Sequence, residues 1–349
     1  MLNKIILQEN VPDHIISVVQ TIENNGFQAY IVGGALRDLL LGRIPIEYDL
    51  ASNAAPHDIK NMFEKTTTVG EKFGTICIHI KKKVIEITTF RKESNYTNAR
   101  HPDFIEFANT IEDDLNRRDF TMNAMAYHPL TNTIVDPFNG MGDIQQRQIK
   151  CVGDPILRFK EDTLRPFRCF RFMSQLGFVV DQNVVHALKK TSPSPLPSRP
   201  RIRHEMDRLI LGKYWLSSLK LMASTAWLKK IIPNSPSIES KELPDELLYR
   251  WAWLLSNTDA SESGKKWQFS NRCIRQMKLI QEWNYDEKAI NLSIHHIQIS
   301  SNELMSLGYK GKALGEIQKK LLELIRKKNL DNDPTSIQNY LKKQTIYSE

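Results

Sequence analysis

Cysteine is scarce and unpaired in this chain. Cys77, Cys151, Cys169 and Cys273 stand apart in 349 residues, with no Cys-x-x-Cys among them. That spacing argues against a zinc site or a disulfide framework and makes a reducing cytoplasm the expectation. The nine histidines are equally scattered, and the one adjacent pair, His295-His296, reads as loop or surface rather than as a metal site. No apolar run approaches the roughly 20 residues that span a bilayer, so no membrane partner is expected. The opening Met1–Asn10 has a lysine but neither the apolar core nor the small-residue cleavage site of a signal peptide. Internal repeats and low-complexity tracts are also missing.

What remains is an ordinary globular composition, 41% hydrophobic, 25% charged and 9% aromatic. The length exceeds one small core and suits two to four domains. The formal charge of +8 suits a polyanionic partner, although many basic proteins bind no nucleic acid.

Hydrophobic periodicity divides the chain in two. Up to about residue 152, helices and short strands alternate: a helix over 12–26, a strand over 28–32, a helix over 35–41, a strand over 47–51 and a helix over 56–64. A hairpin of 74–80 and 84–90 follows, then a strand over 104–107 and a helical spacing from Ile111 to about Tyr127. Beyond 152 strand signals nearly vanish. Helices are expected over 155–176, 183–190, 203–211, 215–231, 244–257, 264–284, 301–307 and 313–328. Four prolines in Thr191–Pro200 make that stretch an irregular connector.

Four clusters carry chemistry. In Tyr30–Gly42 a buried strand meets Gly33-Gly34 and then a helix, a geometry that aims backbone N–H groups at an anion. Arg37 in the first helical turn can add a direct phosphate contact. In Glu47-Tyr-Asp49, strand alternation points both carboxylates one way while Tyr48 and Leu50 face the core. Two hard oxygen ligands beside a phosphate cradle suit a pair of Mg²⁺ ions driving phosphoryl or nucleotidyl transfer. Glu86 could be a third such carboxylate or an ordinary surface residue. Arg118 and Asp119, on the expected helix, could hold phosphate or ribose, or form surface ion pairs. Finally Asp162, Arg165 and Arg168, spaced by three, share a helix face that Arg171 extends. A carboxylate beside a guanidinium can read the pairing edge of a base, and the other arginines suit a triphosphate. An isolated Asp-x-x-Arg is more often just an ion pair, and Pro166 should kink that helix or mark its first turn.

In this order, the clusters over 28–175 resemble class II tRNA nucleotidyltransferases, the CCA-adding enzymes, and their bacterial poly(A) polymerase relatives. The likeness is to the Gram-positive type, on Thr88-Thr-Phe-Arg91, Leu115-x-Arg-Arg-Asp-Phe-Thr121, Arg158-Phe-x-Glu-Asp162 and Arg171–Phe178. It continues more weakly through Arg201-Ile-x-x-Glu205 to 299–343. The resemblance implies an α+β protein of seahorse-like form. A catalytic head (1–152) with a five-stranded mixed sheet is followed by an all-helical neck (153–212) for base recognition, body (213–290) and tail (291–349) for tRNA. It implies Mg²⁺ on Glu47 and Asp49, triphosphate contacts from Gly34 and Arg37, and the nucleotide sugar near Arg118 and Asp119. Asp162 and Arg165 template the incoming base, with Arg168 and Arg171 nearby. The implied activity is template-independent addition of CCA to tRNA from CTP and ATP by a two-metal mechanism. The alternatives are A-only addition, a poly(A) polymerase, or a catalytically weak RNA-binding relative. The polar loop Lys92–Asp103 disfavours CC-only addition. Glu47 stands where this class usually has Asp, and the chain is short at about 235–290. Monomer and homodimer are both left open.

Overall fold

The computed structural model describes residues 7, 9–68, 70–80, 83–94, 104–192, 195–239 and 242–346. They fall into two compact units, Met1–Ile231 and Ile232–Glu349.

In the first unit, helix α1 (Asp13–Asn24) buries Ile15, Val18, Val19 and Ile22, which recur every three or four residues along one stripe. Gly26, at φ +86°, turns the chain into strand β1 (Ala29–Val32). There follow α2 (Gly34–Leu40), β2 (Asp49–Ser52), α3 (Pro56–Met62), β3 (Thr66–Thr67), β4 (Thr75–Ile80), β5 (Lys83–Thr89), β6 (Arg91–Ser94) and β7 (Phe104–Phe107). Next come α4 (Ile111–Asn116), β8 (Ala126–His128), β9 (Thr133–Val135), α5 (Gly140–Gln145) and β10 (Gln148–Ile149).

The main sheet has the order β3-β4-β5-β2-β1-β8-β9, with β2 and β5 parallel and its other pairings antiparallel. It is α+β, as expected, but it holds seven strands rather than five. The added edges include a strand of two residues, too short for alternating hydrophobicity to betray. Val32, Ala51, Phe90, Ala108, Ile111, Leu115 and Ala126 form one buried cluster that packs α4 against the strands. The expected strand 84–90 is β5, which ends beside Phe90, whose N–H donates to Ser52 O and whose carbonyl accepts from Ala108 N. β6 then leaves to pair with β7 as a separate ribbon. Residues 95–103 of the Lys92–Asp103 loop, and Lys81-Lys82 between the hairpin strands, lie outside the described residues.

Expected helices are interrupted at four places. The 215–231 helix divides into Trp215–Ser224 and Trp227–Ile231 about Ala226 at φ +63°, and 264–284 divides in the second unit. The two breaks nearest the site are in 111–127 and 155–176. The 111–127 helix stops at Asn116, passes Arg117–Phe120, and makes a short 3₁₀ turn at Thr121–Asn123 before β8. The cause is Asp119, whose carboxylate accepts from the N–H of Phe120 and so competes with helical bonding. The 155–176 helix is two helices, α6 (Pro155–Glu161) and α7 (Arg165–Leu176). Asp162 between them is extended and caps Leu164 N, and Pro166 sits in the first turn of α7, where a missing N–H costs nothing. A small strand β11 (Val179–Val180) pairs with β10, and α8 (Gln182–Lys190), α9 (Arg199–Ile210), α10 (Trp215–Ser224) and α11 (Trp227–Ile231) complete the unit. Fully buried Trp227 packs edge-on against Phe167 and Phe170 and donates its indole N–H to Leu188 O.

The second unit is helical among its described residues: α12 (Leu247–Leu254), α13 (Ala260–Lys266), α14 (Asn271–Glu282), α15 (Glu287–Asn291), α16 (Ser301–Ser306), α17 (Lys312–Arg326) and α18 (Pro334–Ile346). The expected 264–284 helix is broken where Gln268 takes φ +57° and Ser270 caps α14. Trp251 is fully buried against Trp267 and Phe269. Ile317, Leu321 and Ile325 of α17 pack with Leu304, Ile337 and Leu341 in a second core.

Candidate active site

The site is built where β1 runs into α2. Gly33 takes φ +69°, a conformation that side chains other than glycine's resist. Space is tight as well: a Cβ there would stand 3.2 Å from Arg118 Nη1, which would have to give by a few tenths of an ångström, and 3.8 Å from Asp49 Oδ2. The Gly-Gly turn, Arg118 and the first residue of β2 therefore meet at one point. Gly34 opens α2, and a Cβ on it would lie 3.6 Å from Arg37 Nη2.

Asp49 begins β2 and is solvent-accessible, opposite Glu86 on parallel β5. In-register residues of neighbouring strands project from the same face, so Glu86 is the third carboxylate of this edge. Glu47 does not lie on the strand as expected: it occupies the bend before β2, although Tyr48 is buried as foreseen. Although the side chain reaches solvent, the protein packed around it withdraws enough water to raise the Asp49 carboxyl above its usual range; Arg118 opposes this, and Glu47 adds to it. Burial raises Glu86 as well, with Asp49 and Glu47 repelling its charge. Crowded carboxylates of this kind gain from a cation. Among the described residues no three His, Cys, Asp or Glu side chains stand converged as a finished cage. Mg²⁺ does not need one, because it commonly takes one or two carboxylates and completes its shell with water and substrate phosphates.

The basic groups are held by acids, several of them buried. Fully buried Asp114 accepts from Arg117 through one oxygen and from Arg118 through the other, each at 2.8 Å at its shortest. Arg37 donates to Asp38 at 2.8 Å and to Asn123 Oδ1 at 2.9 Å. Asp119 accepts from Arg168 Nε at 2.6 Å. Burial alone would raise Asp119, but Arg168 and the Phe120 N–H overcome it and hold the carboxyl down to about 2. Arg171 is buried, paired with Glu205 of α9 at 2.5 Å and bonded to Gln175.

Asp162, Arg165 and Arg168 do not share one helix face, because the chain breaks between Asp162 and α7. Arg165 is buried and bonds to Glu161 at 2.6 Å and to the carbonyls of Arg158 and Arg117. Arg158 reaches Asn116 O, so two arginines from beyond the sheet cap the carbonyl end of α4. The cation nearest Asp162 is Arg201 of α9, at 3.6 Å. Burial raises Asp162, against the Leu164 N–H and Arg201. Missed by sequence reasoning were Asp114, Glu161, Asn123, Phe172 and the Arg201–Asp162 pair. Asp114 was findable, lying three and four residues before Arg117 and Arg118. Glu161 was findable in the same way, three residues after Arg158 and four before Arg165, whereas Asn123, the Arg37 contact of Phe172 and the Arg201–Asp162 pair arise only through the fold.

Residues 29–150 match the poly A polymerase head domain family. The chain is 34% identical to the CCA-adding enzyme of Bacillus pumilus over 85% of its own length and 78% of that protein's. Against the CCA-adding enzyme of Lactococcus lactis subsp. cremoris it is 38% identical, over 75% of this chain and 70% of the other. This chain belongs to the CCA-adding enzymes. With the Geobacillus stearothermophilus CCA-adding enzyme the identity is 39% over 70% of this chain, and the chain spans 60% of that relative's length. Two solved CCA-adding enzymes share the fold. The one from Bacillus stearothermophilus, in complex with CTP, has a TM-score of 0.67 and 24% identity, covering 96% of this chain and 97% of that one. The Thermotoga maritima CCA-adding enzyme complexed with tRNA-CCA has a TM-score of 0.71 and 19% identity, covering 97% and 98%. As in the family, a nucleotidyltransferase head with a mixed sheet precedes a helical remainder. No helix among the described residues is long and apolar enough to cross a membrane.

Proposed function

We propose that this chain adds C, C and A to the 3′ end of tRNA, without a nucleic-acid template, using CTP and ATP in the cytoplasm. The observation that carries the reading is the acidic edge Asp49–Glu86 facing the Gly33–Arg118 contact. A triphosphate laid along the Gly33-Gly34 turn would have Arg37 and Arg118 on its oxygens and carboxylates within reach of its reacting end. Mg²⁺ held by Glu47 and Asp49 would supply charge neutralisation at the transferring phosphoryl group and a more acidic 3′-hydroxyl. Asp119 orients Arg168 and stands next to the sugar region. Asp162 offers the acceptor for the base and Arg165, with Arg201, the donors, while Arg168 and Arg171 frame the pocket from α7. The four-part division into head (1–152), neck (153–212), body (213–290) and tail (291–349) is retained, with the basic tail gripping tRNA through its phosphates and shape.

The test is extension of tRNA transcripts ending before CCA, after C and after CC, with CTP and ATP offered separately. CTP should extend the first two and ATP the third. Extension of the CC end alone would assign A-only addition, and indifference to CTP with a growing A tail would assign poly(A) synthesis.

A further inference from the structure

Three guanidinium groups surround the ring of Phe172. Arg171 stands 4.0 Å from its centroid, Arg37 5.2 Å and Arg168 5.6 Å, all within cation–π reach. Phe172 is 3% exposed, and Phe120 packs edge-on against it at 5.7 Å, so the ring is fixed. The three arginines differ in accessibility. Arg171 is closed off by its buried pair with Glu205, whereas the Arg37 and Arg168 side chains are 11% and 35% exposed. Arg37 comes from the helix after the Gly-Gly turn and Arg168 from α7, so a single ring joins two elements far apart in sequence.

Three like charges converge on one place, and each already has a carboxylate, Arg37 with Asp38, Arg168 with Asp119 and Arg171 with Glu205, that occupies part of its donors. An aromatic face draws the guanidinium groups together without taking up further N–H groups, so that those not given to Asp38, Asn123 and Asp119 remain for another acceptor. We propose that Phe172 is a positioning residue that holds Arg37 and Arg168 as one clamp for the polyphosphate of the incoming nucleotide. The proposal rests on the nucleotidyltransferase reading of this site and adds to it the group that sets the clamp's geometry. Phe172 itself touches no substrate.

The test is calorimetric binding of inorganic tripolyphosphate to the full-length protein at fixed Mg²⁺ and salt, beside tRNA extension by the same samples. Phe172→Leu keeps an apolar side chain of similar bulk and removes the ring, and Phe172→Tyr keeps the ring. The Leu variant should bind tripolyphosphate about tenfold more weakly, and its KM for CTP and ATP should rise together while preference over UTP and GTP is unchanged. The Tyr variant should bind within about twofold of the parent protein. If Phe172→Leu does not fold, Phe172→Met, flexible and of similar volume, is read by the same criteria. Tripolyphosphate binding unchanged in the ring-free variant, or lost equally in the Tyr variant, would overturn the proposal. Because this binding needs no transfer chemistry, it separates failure of the clamp from failure of the CCA-adding reading, which extension reports.

Discussion

Asp49 is the side chain on which the acidic edge turns, standing between Glu47 in the preceding bend and Glu86 across the parallel pair. Asp49→Ala should lower single-turnover tRNA extension by at least about a hundredfold, roughly 2.7 kcal/mol in the transition state, and Glu47→Asp should retain activity. Near-parental turnover in Asp49→Ala would remove the metal assignment. Asp119 makes a different prediction. Its folded pKa of about 2 lies below the ordinary carboxylate value near 3.9, so folding favours the ionised form. The resulting stability is complete above about pH 4 and is lost as pH falls towards 2, an effect on the order of 2 kcal/mol. Urea unfolding of the parent protein and Asp119→Asn across pH 5 to 2 should show their stability difference shrinking through that window; a constant difference would contradict it. At this scale the sequence revealed Gly33-Gly34, Arg37 and the carboxylates, since neighbours along the chain define them. Glu86 stayed ambiguous because its role depends on a strand register between residues 37 apart.

The elements place these groups through their ends. Gly33 sits in the turn from β1 to α2 with both its conformation and its space committed. Gly33→Ala should therefore displace Arg118 and strain the turn by about 1 kcal/mol. The expected outcome is a small fall in melting temperature with a tenfold or larger loss of extension, and unchanged extension would show the turn to be uninvolved. Between α6 and α7 the consequences separate by residue. Asp162→Ala should relax the choice of CTP and ATP over UTP and GTP, a base hydrogen bond being worth about 1–3 kcal/mol, with little loss of stability. Arg165→Ala should relax selection and also destabilise, because Glu161 and two carbonyls lose their donor. Unfolding curves and misincorporation ratios distinguish the two. The helix break explains why the expected shared face of Asp162, Arg165 and Arg168 was misplaced. Periodicity continues across 155–176, and only Pro166 hinted at the interruption that side-chain capping by Asp162 completes. The α+β class and the hairpin were legible because alternation over six or seven residues is strong, whereas two-residue strands carry no pattern.

At the scale of the molecule, charge is the feature most directly tied to function. Residues 309–349 hold nine Lys and Arg against five Asp and Glu, within a chain of formal charge +8. tRNA binding should therefore weaken steeply with salt as displaced counterions return to the RNA. Truncation at about residue 290 should weaken binding and flatten that dependence, and an unchanged salt slope in a folded truncation would contradict a tRNA-gripping tail. The helical character of the second unit was legible from periodicity, but the packing of 235–290 was not, since Trp251, Trp267 and Phe269 find one another only in the folded chain. The most direct test of the whole account is the mass of tRNA lacking CCA after incubation with this protein, CTP, ATP and Mg²⁺. The product should be longer by two C and one A, in that order, with extension stopping there. A ladder of added A without C, or a tRNA of unchanged mass, would contradict it.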